Sequence, residues 1–280
     1  MSDLIKCNAF ETYKSSSLAN LKTFDVTKLK SVAYRSSTNG FQPKYLVSPY
    51  FVKQQAVIGG RLSNDWMVEI IASNLAKKLD IPCVTQYGCN IIDGSKKFKG
   101  VYSLNFEEEQ GYQFISFRTL LRTNGFDIED FNFTSLATVN KLECMTNCLV
   151  RFANIDENKA REYFLNMAAI DILVGNVDRH DKNFGVFFRD DKFSTAYLFD
   201  NGMGLFEHTP YLETYDTWEN AMREVYVAPY GEDPFEMIEI LDKEYGFKKR
   251  FDNVDLSIED SLFPNDFAIE YYKNILERLR

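Results

Sequence analysis

The sequence predicts an α+β fold in two parts, a small part rich in β-strands followed by a larger, mainly helical part. Residues 32–106 contain several short strand-like runs and one helical pattern, whereas residues 135–280 contain mostly helical patterns and a single hairpin. A length of 280 residues also suits one two-lobed unit or two small domains. We place the boundary between residues 1–106 and residues 107–280.

The strand-rich part begins with short apolar runs that are separated by turn residues. Strands are predicted at residues 32–35, 45–47, 50–53 and near 100–106. One helix is predicted from about residue 64 to residue 78, because apolar residues recur there at the helical period. These apolar residues are Trp66, Met67, Ile70, Ile71 and Leu75.

The helical part is predicted from two amphipathic segments. One helix runs from about residue 157 to residue 174, and the last helix of the chain follows Pro264. An apolar stripe along each helix indicates packing against a core rather than a binding function. Between these helices, residues 184–188 and 195–199 flank a polar turn at residues 189–192, which predicts an antiparallel hairpin.

The balance of charge argues against direct binding to nucleic acid or to an anionic membrane. The chain has 32 Lys and Arg against 41 Asp and Glu, which gives a net charge of −9 and a pI of about 5.0. Proteins that bind nucleic acid draw much of their affinity from a basic surface. Here the concentrated basic run at residues 96–99 follows Asp93 and Gly94 and is typical of a solvated turn.

The lack of a recognisable targeting signal and the pattern of cysteines predict a cytoplasmic protein. No apolar run approaches the roughly 20 residues that span a bilayer, and the N-terminus lacks the basic and apolar regions of a signal peptide. The five cysteines form no CxxC pair, and their odd number argues against a disulfide framework. We expect buried free thiols in a reducing compartment.

Residues 171–186 contain the candidate chemistry. An apolar helix end is followed by six polar residues at positions 178–183 and then by a new strand. These six residues include two carboxylates, an imidazole, an amide and two cations, a mixture that structural loops rarely contain. Such a loop between two apolar elements indicates a functional site.

The predicted hairpin brings two oxygen-bearing side chains together. In its simplest register residue 184 faces residue 199, and Asn183 then lies opposite Asp200. Directly opposed residues have Cβ atoms about 4.5–5.5 Å apart. An amide oxygen and a carboxylate that converge suit Mg²⁺, which is commonly held by one or two protein groups together with substrate phosphates.

Asp178 precedes Asn183 on the same loop and is the candidate catalytic base. Its carboxylate can accept the proton of an attacking hydroxyl while a metal holds the phosphates, which is the division of roles in phosphoryl transfer. The spacing of Asp178 and Asn183 matches that of the catalytic-loop Asp and Asn of protein kinases. Alternatively, these residues and Asp200 are turn or capping residues, which Asp and Asn also favour. We expect Asp171 to bond to the loop backbone, and Asp181 either to support Asn183 or to be solvated.

Residues 176–185 and 199–202 resemble the catalytic and metal-binding segments of the HipA-like serine/threonine kinases. The Asp-Arg-His order within the first segment is also similar to that of phosphatidylinositol kinases, to which the family is structurally similar. Residues 37–44 resemble the Gly-rich loop that covers ATP in the family. Residues 50–53 resemble the strand with the ATP-contacting lysine, and Glu69 resembles the helix glutamate that pairs with this lysine.

The resemblance is collinear over roughly residues 34–206 and implies a two-lobed, protein-kinase-like fold that uses ATP and Mg²⁺. By this resemblance Asp178 is the catalytic base and His180 supports the catalytic loop. Asn183 and Asp200 hold Mg²⁺. The implied cofactor-binding residues are Ser37, Gly40, Gln42, Lys44, Lys53 and Glu69.

The resemblance also implies a biological setting. It suggests a kinase for Ser or Thr on a protein substrate, and the catalytic part of a toxin–antitoxin system or a related effector, whose antitoxin is a separate helix-turn-helix protein. In the family a serine at the position of Ser37 can be autophosphorylated, and phosphate there would oppose nucleotide binding; an ordinary turn serine is the alternative. The Gly-rich loop starts near residue 36, so we expect the N-terminal segment of longer members to be absent or reduced.

Two other functions remain open. A pseudokinase would use nucleotide only to set its shape, but Lys53, Glu69, Asp178, Asn183 and Asp200 are all retained, which disfavours this interpretation. A kinase for a lipid or a small metabolite is suggested by the Asp-Arg-His order, although the sequence has no basic membrane-facing patch. The chain also lacks the Gly-x-Gly-x-x-Gly, His-Arg-Asp and Asp-Phe-Gly motifs of ordinary eukaryotic-type kinases.

Overall fold

The computed structural model of the chain describes residues 20–31, 42–107, 111–131, 133–208, 215–223 and 225–280. These residues form a mixed α+β structure, as the sequence predicts. The predicted strand at residues 32–35 lies outside the described residues. The boundary that we place between residues 106 and 107 remains a prediction.

Strands dominate the first hundred described positions, and helices dominate the rest. The strands are β1 (Lys22–Asp25), β2 (Lys44–Val47), β3 (Tyr50–Gln54), β4 (Val57–Ile58), β5 (Arg61–Leu62), β6 (Tyr87–Asp93), β7 (Lys96–Leu104), β8 (Gln113–Ser116), β9 (Gly185–Arg189) and β10 (Lys192–Thr195). The α-helices are α1 (Asp65–Lys78), α2 (Phe117–Thr123), α3 (Thr138–Ala153), α4 (Glu157–Val174), α5 (Trp218–Met222), α6 (Pro234–Tyr245) and α7 (Asp266–Leu279). The predicted bounds of α1 and α4 agree with the structure to within about one residue.

A five-stranded sheet with the order β1-β6-β7-β3-β2 forms the strand-rich part. β1 pairs with β6 in parallel, and the other neighbours are antiparallel. β2 and β3 form a hairpin in which Lys44 lies directly opposite Lys53. Because opposed residues project from the same face of a sheet, both lysine side chains point to one side.

Helix α1 lies between this sheet and the helical part. Trp66 and Ile70 pack with Val101 of β7, while Val68 and Leu75 join the main core of the helical part. The helix therefore fixes any side chain on its buried surface relative to both parts of the molecule.

The predicted hairpin is present as β9 and β10, which form a three-stranded antiparallel sheet with β8, but its register differs from the predicted one. Phe188 pairs with Phe193, so the register differs by two residues from the predicted one. The turn contains only Asp190 and Asp191, which have φ angles of 52° and 57° and suit the two-residue turns that connect twisted strands. The ladder ends near Gly185, so Asn183 and Asp200 are not opposed within it, and the predicted route to their convergence is wrong.

After β10 the backbone of the chain forms hydrogen bonds with the segment that follows α1. The Leu198 N–H donates to the Pro82 carbonyl oxygen at 3.0 Å, and the Val84 N–H donates to the Leu198 carbonyl oxygen at 2.8 Å. These two bonds carry the backbone at Asp200 back towards the sheet and α1.

Helix α4 is the centre of the helical core. The Asp156 side chain caps its first turn by accepting from the Lys159 N–H at 3.1 Å, and Gly175 ends it with a φ of 57°, which glycine adopts without strain. Every residue from Met167 to Val174 is buried. The loop that follows α4 therefore starts from a firmly packed base.

Among the described helices, none combines the length and the apolar character that a bilayer-spanning segment needs.

Candidate active site

Lys53, Glu69 and Asp200 form an ion cluster where the sheet, α1 and the segment after β10 meet. The Lys53 ammonium donates to Glu69 Oε1 at 2.6 Å and also to Asp200 Oδ1. The Asn201 N–H donates to the other Glu69 oxygen at 3.1 Å. Glu69 therefore connects the lysine of β3 to the backbone beside Asp200, and the pairing of lysine and helix glutamate implied by the resemblance is present.

The charges of this cluster stabilise one another. Lys53 is only 6% exposed. Burial alone would lower its pKa, but the carboxylates of Asp200 and Glu69 raise it above the ordinary lysine value. Burial would likewise raise the pKa of Asp200, but the Lys53 and Lys44 ammonium groups hold it well below its usual range. Asp200 is thus ionised at any physiological pH.

Lys44 is a second buried cation at the same carboxylate. Its Nζ lies 3.6 Å from Asp200 Oδ2, and the side chain is buried. Burial lowers the pKa of Lys44, against the opposing effect of Asp200. Two lysines on neighbouring strands therefore face one aspartate, and together with Glu69 the cluster contains two ammonium groups and two carboxylates.

Asn183 carries a buried polar atom that lacks a partner. Its amide Nδ2 donates to the Asp178 carbonyl oxygen at 3.2 Å, but its Oδ1 accepts no hydrogen bond from any described residue. A buried oxygen without a donor is costly unless something else binds it. An amide oxygen of this kind suits a hard cation such as Mg²⁺.

Asp178 is exposed on the loop, and hydrogen bonds to Asn176 and His180 fix its backbone. The Asp178 N–H donates to Asn176 Oδ1 at 3.1 Å, and its carbonyl oxygen accepts from the His180 N–H at 2.8 Å. Partial burial raises the pKa of the Asp178 carboxyl, although His180 opposes this effect and Asp200 adds to it. The exposed His180 accepts from the Lys182 N–H through Nδ1 at 3.3 Å, which closes the turn of the loop.

Arg179, which sequence reasoning did not select, connects the loop to the segment that contains Asp200. It is fully buried and forms a two-pronged ion pair with Asp171, with Nε to Oδ2 at 3.0 Å and Nη2 to Oδ1 at 2.8 Å. It also donates to the Asn183 and Phe199 carbonyl oxygens and to Asn201 Oδ1. The Arg179 guanidinium therefore holds the backbone of Asn183 near the two residues that flank Asp200, a link that the predicted hairpin register does not provide.

Asp171 and Asp181 differ from their predicted roles. Asp171 binds the Arg179 guanidinium and the Asn176 side chain, with Asn176 Nδ2 to Asp171 Oδ1 at 2.9 Å. Asp181 is buried and accepts from Arg118 Nε at 2.8 and 2.9 Å, so it is neither solvated nor bonded to Asn183. The position of an acidic residue inside an otherwise apolar helix end is the sequence signal that could have indicated a buried ion pair at Asp171.

The remaining predicted nucleotide-binding residues fall partly outside the described chain. Ser37 and Gly40 lie outside the described residues, so their predicted contacts stay predictions. Gln42 is buried, and its Nε2 has no hydrogen-bond partner among the described residues. It precedes Lys44 by two residues, next to the buried cations.

The donor set fits a magnesium–nucleotide complex. Among the described residues, no group of three or more His, Cys, Asp or Glu could hold a metal ion alone. A cation bound by Asn183 and Asp200 would therefore need oxygens from a ligand, as Mg²⁺ takes from phosphates. Lys44 and Lys53 supply the positive charge that such phosphates require.

Comparisons with known proteins show which solved structures share the fold. Helicobacter pylori CtkA, described as a proinflammatory kinase, superposes with a TM-score of 0.55 at 16% identity, covering 91% of this chain and 93% of that one. This likeness confirms the predicted two-lobed, protein-kinase-like fold. HipA of Shewanella oneidensis MR-1, solved with HipB and operator DNA, gives a TM-score of 0.42 at 15% identity and covers 87% of this chain and 64% of that one. Among curated protein sequences, none matches significantly.

The family comparison covers most of the chain. Residues 36–223 match the profile of the HipA-like C-terminal domain. This range contains Lys53, Glu69, Asp178 and Asp200, together with every bond that joins them. The chain therefore belongs to the family of HipA-like C-terminal domains.

Proposed function

We propose that the protein is an ATP- and Mg²⁺-dependent kinase that phosphorylates Ser or Thr on a protein substrate. The observation that carries this proposal is the convergence of Lys53 and Glu69 on Asp200 and its neighbour Asn201. The unpartnered oxygen of Asn183 adds to it, because Arg179 binds the backbones of both Asn183 and Phe199. Membership of a kinase family and the fold shared with CtkA support the same function.

Each group then has a separate role in phosphoryl transfer. Lys53 and Lys44 bind ATP phosphate oxygens, and Glu69 keeps Lys53 in place. Asn183 and Asp200 would hold Mg²⁺, which neutralises charge on the phosphates when it is bound. The acceptor oxygen forms a bond to the γ-phosphorus as the bond from that phosphorus to the bridging oxygen of ADP breaks. Asp178 takes the proton that the acceptor hydroxyl loses, while His180 supports the loop.

The finer parts of the proposal rest on family membership. We propose that the protein acts in the cytoplasm as the toxin of a toxin–antitoxin pair or as a related effector, with a helix-turn-helix antitoxin as its partner. We also propose that it phosphorylates itself at Ser37. None of these roles requires a direct contact of this acidic chain with nucleic acid or membrane.

The test is transfer of labelled phosphate by the wild type, Asp178→Asn and a matched control, Asp191→Asn. Asp191 lies in the β9–β10 turn at a φ of 57°, which Asn also tolerates. Loss of a general base typically lowers the rate by about 10²–10⁴-fold. We expect this loss in Asp178→Asn, with Mg-ATP binding retained, and near wild-type transfer in Asp191→Asn.

The results also separate the rival functions. Equal transfer by Asp178→Asn and the wild type would remove Asp178 as the base. Mg-ATP binding without transfer to any acceptor would indicate a pseudokinase. Transfer to inositol lipids but not to protein would indicate a lipid kinase.

A further inference from the structure

A cleft of about 570 Å³ opens beside Asp178 on the helical part. One side of it is formed by the catalytic loop from Val177 to Asp181, and the other by the loop around Pro229. The apolar residues in its lining are Ile128, Phe133, Val177, Tyr226, Ala228 and Pro229. A cleft that contains the candidate base is where an acceptor hydroxyl must enter.

The loop with Tyr226, Ala228 and Pro229, which we call the apolar wall, is held at a fixed position relative to Asp178. The Ala228 N–H donates to the Asn176 carbonyl oxygen at 3.2 Å, and the Asp178 N–H donates to the side chain of the same Asn176 at 3.1 Å. Val227 and Glu232 close the loop through a bridge, with the Val227 N–H to the Glu232 carbonyl oxygen at 2.8 Å. The buried Asn176 therefore couples the wall and the base directly.

Tyr226 presents a large apolar surface to the cleft. It is 46% exposed, whereas its neighbours Val225 and Val227 are buried. An exposed aromatic ring inside a cleft is a feature of sites that bind another molecule. A bulky apolar side chain of the acceptor segment would cover this ring and Pro229.

The charged and titratable residues in the cleft lining are Arg118, Glu129, Asp178, Arg179, His180 and Asp181. Arg118 is neutralised by Asp181, with Nη2 to Oδ1 at 2.7 Å, and Arg179 by its buried partner. Glu129 is exposed in the lining, and neither Glu129 nor Asp178 forms a salt bridge with another described residue. A basic side chain on the acceptor segment complements this charge, and an acidic one does not.

We propose that this cleft recognises a protein segment with a bulky apolar side chain close to the acceptor hydroxyl and a Lys or Arg nearby. Tyr226 and Pro229 bind the apolar side chain, and Glu129 binds the basic one. This inference rests on the proposed kinase function, and it assigns the substrate class that the sequence left open.

The experiment is phosphorylation of a positional-scanning library of Ser and Thr peptides by the full chain, with kcat/KM measured on the selected peptides. We expect selection for Leu, Ile, Met or Phe at one position and for Lys or Arg at another. Tyr226→Ala should lower the apolar preference about tenfold, and Tyr226→Phe should keep it because the ring supplies the contact. Glu129→Gln should remove the basic preference alone. Leu29→Ala, another exposed apolar residue at 41%, is the control for truncation and should keep both preferences.

Other outcomes separate this inference from the kinase proposal. If the wild type hydrolyses ATP or labels peptides but shows no apolar or basic preference, the substrate assignment is overturned while the kinase survives. The same holds if the preferences persist in Tyr226→Ala and Glu129→Gln. If the wild type neither hydrolyses ATP nor labels itself or any peptide, the kinase proposal fails, and the substrate assignment fails with it.

Discussion

Asp65 is a buried carboxyl whose proton is held more tightly in the folded chain than in the unfolded one. It begins α1, and both of its oxygens lie 3.3 Å from the Ala56 nitrogen. Burial raises its pKa to about 7, with Lys53 opposing the rise and Glu69 adding to it. An unfolded Asp has a pKa of about 3.9. Between these values the folded protein binds more protons than the unfolded one, so the contribution of Asp65 to stability falls as pH rises.

The resulting prediction concerns the pH dependence of stability. From about pH 4 to pH 8 the free energy of unfolding of the wild type should fall relative to that of Asp65→Asn, by up to roughly 4 kcal/mol, and the difference should become constant only above about pH 8. Urea unfolding of both proteins at several pH values measures this difference. Parallel pH curves for the two proteins would contradict the raised pKa.

Lys53, Glu69 and Asp200, which the structure brings together, could be selected from sequence, whereas their roles remain predictions. Asp178, Asn183 and Asp200 are the types that bind metal and accept protons, and their order along the chain was informative. Which polar side chains are buried could not be predicted from sequence in the same way. Arg179 lies in a run of six polar residues, yet it is fully buried, because the ion pair with Asp171 replaces its water.

At the scale of elements, the end of α4 and the loop after it form one unit. Asp171 in the last turn of the helix fixes Arg179, and Arg179 fixes the backbone of both Asn183 and Phe199. The pair is shielded from water, so the removal of one partner leaves an uncompensated charge. Mutation of either residue therefore affects both stability and the geometry of the site.

We expect Arg179→Met and Asp171→Leu each to lower the free energy of unfolding by about 3–5 kcal/mol. The double variant should be less destabilised than the sum of the two, by at least about 1 kcal/mol, since no lone charge remains. It should stay inactive, because the contacts to Asn183 and Phe199 are still missing. Chemical denaturation and phosphate transfer measure the two effects.

A surface pair provides the control for this cycle. Arg161 Nε lies 2.9 Å from Glu143 Oε1, but both side chains are partly exposed. Arg161→Met should cost less than about 1 kcal/mol and leave transfer intact. A similar loss of stability in Arg161→Met and Arg179→Met would show that burial does not increase the cost of breaking the Arg179–Asp171 pair.

Elements themselves were predictable where the pattern was long. The helices near residues 64–78 and 157–174 followed from apolar periodicity, because a helix of four or five turns repeats its signal. The hairpin register depended on a turn of two residues rather than four. Asp190 and Asp191 are not a strong turn signal, and their positive φ angles are known only from the structure. Strands β1 and β6 are parallel neighbours in the sheet although they are far apart in sequence, so no local pattern predicts their pairing.

At the scale of the whole molecule, the fully buried Glu207 joins three distant segments. Its Oε2 accepts from the Asn64 N–H at 2.6 Å and from Ser63 Oγ at 3.0 Å, ahead of α1. Its Oε1 accepts from Asn265 Nδ2 at 3.3 Å, and Asn265 also caps α7. Arg61 Nη2 lies 3.4 Å from the same carboxylate. Glu207 thus anchors the start of the helix that carries the candidate glutamate of the site.

Glu207→Gln should lower the free energy of unfolding by about 1–3 kcal/mol, because an amide NH₂ replaces an acceptor that faces several donors. Amide exchange near residue 64 should accelerate more than exchange within α4. Glu277→Gln, an exposed glutamate on α7, should change neither property. Hydrogen exchange that is uniformly faster in Glu207→Gln would argue against a local anchor at α1.

The distance along the chain between Lys53 and Asp200 has a consequence for synthesis. The two residues are 147 positions apart. At elongation rates of about 5–20 residues per second, the ribosome adds Asp200 roughly 7–30 s after Lys53. A growing chain therefore carries its lysine and helix glutamate for many seconds without the aspartate that completes the cluster. On our proposal a nascent chain cannot transfer phosphate until Asp200 has been added and has folded against Lys53.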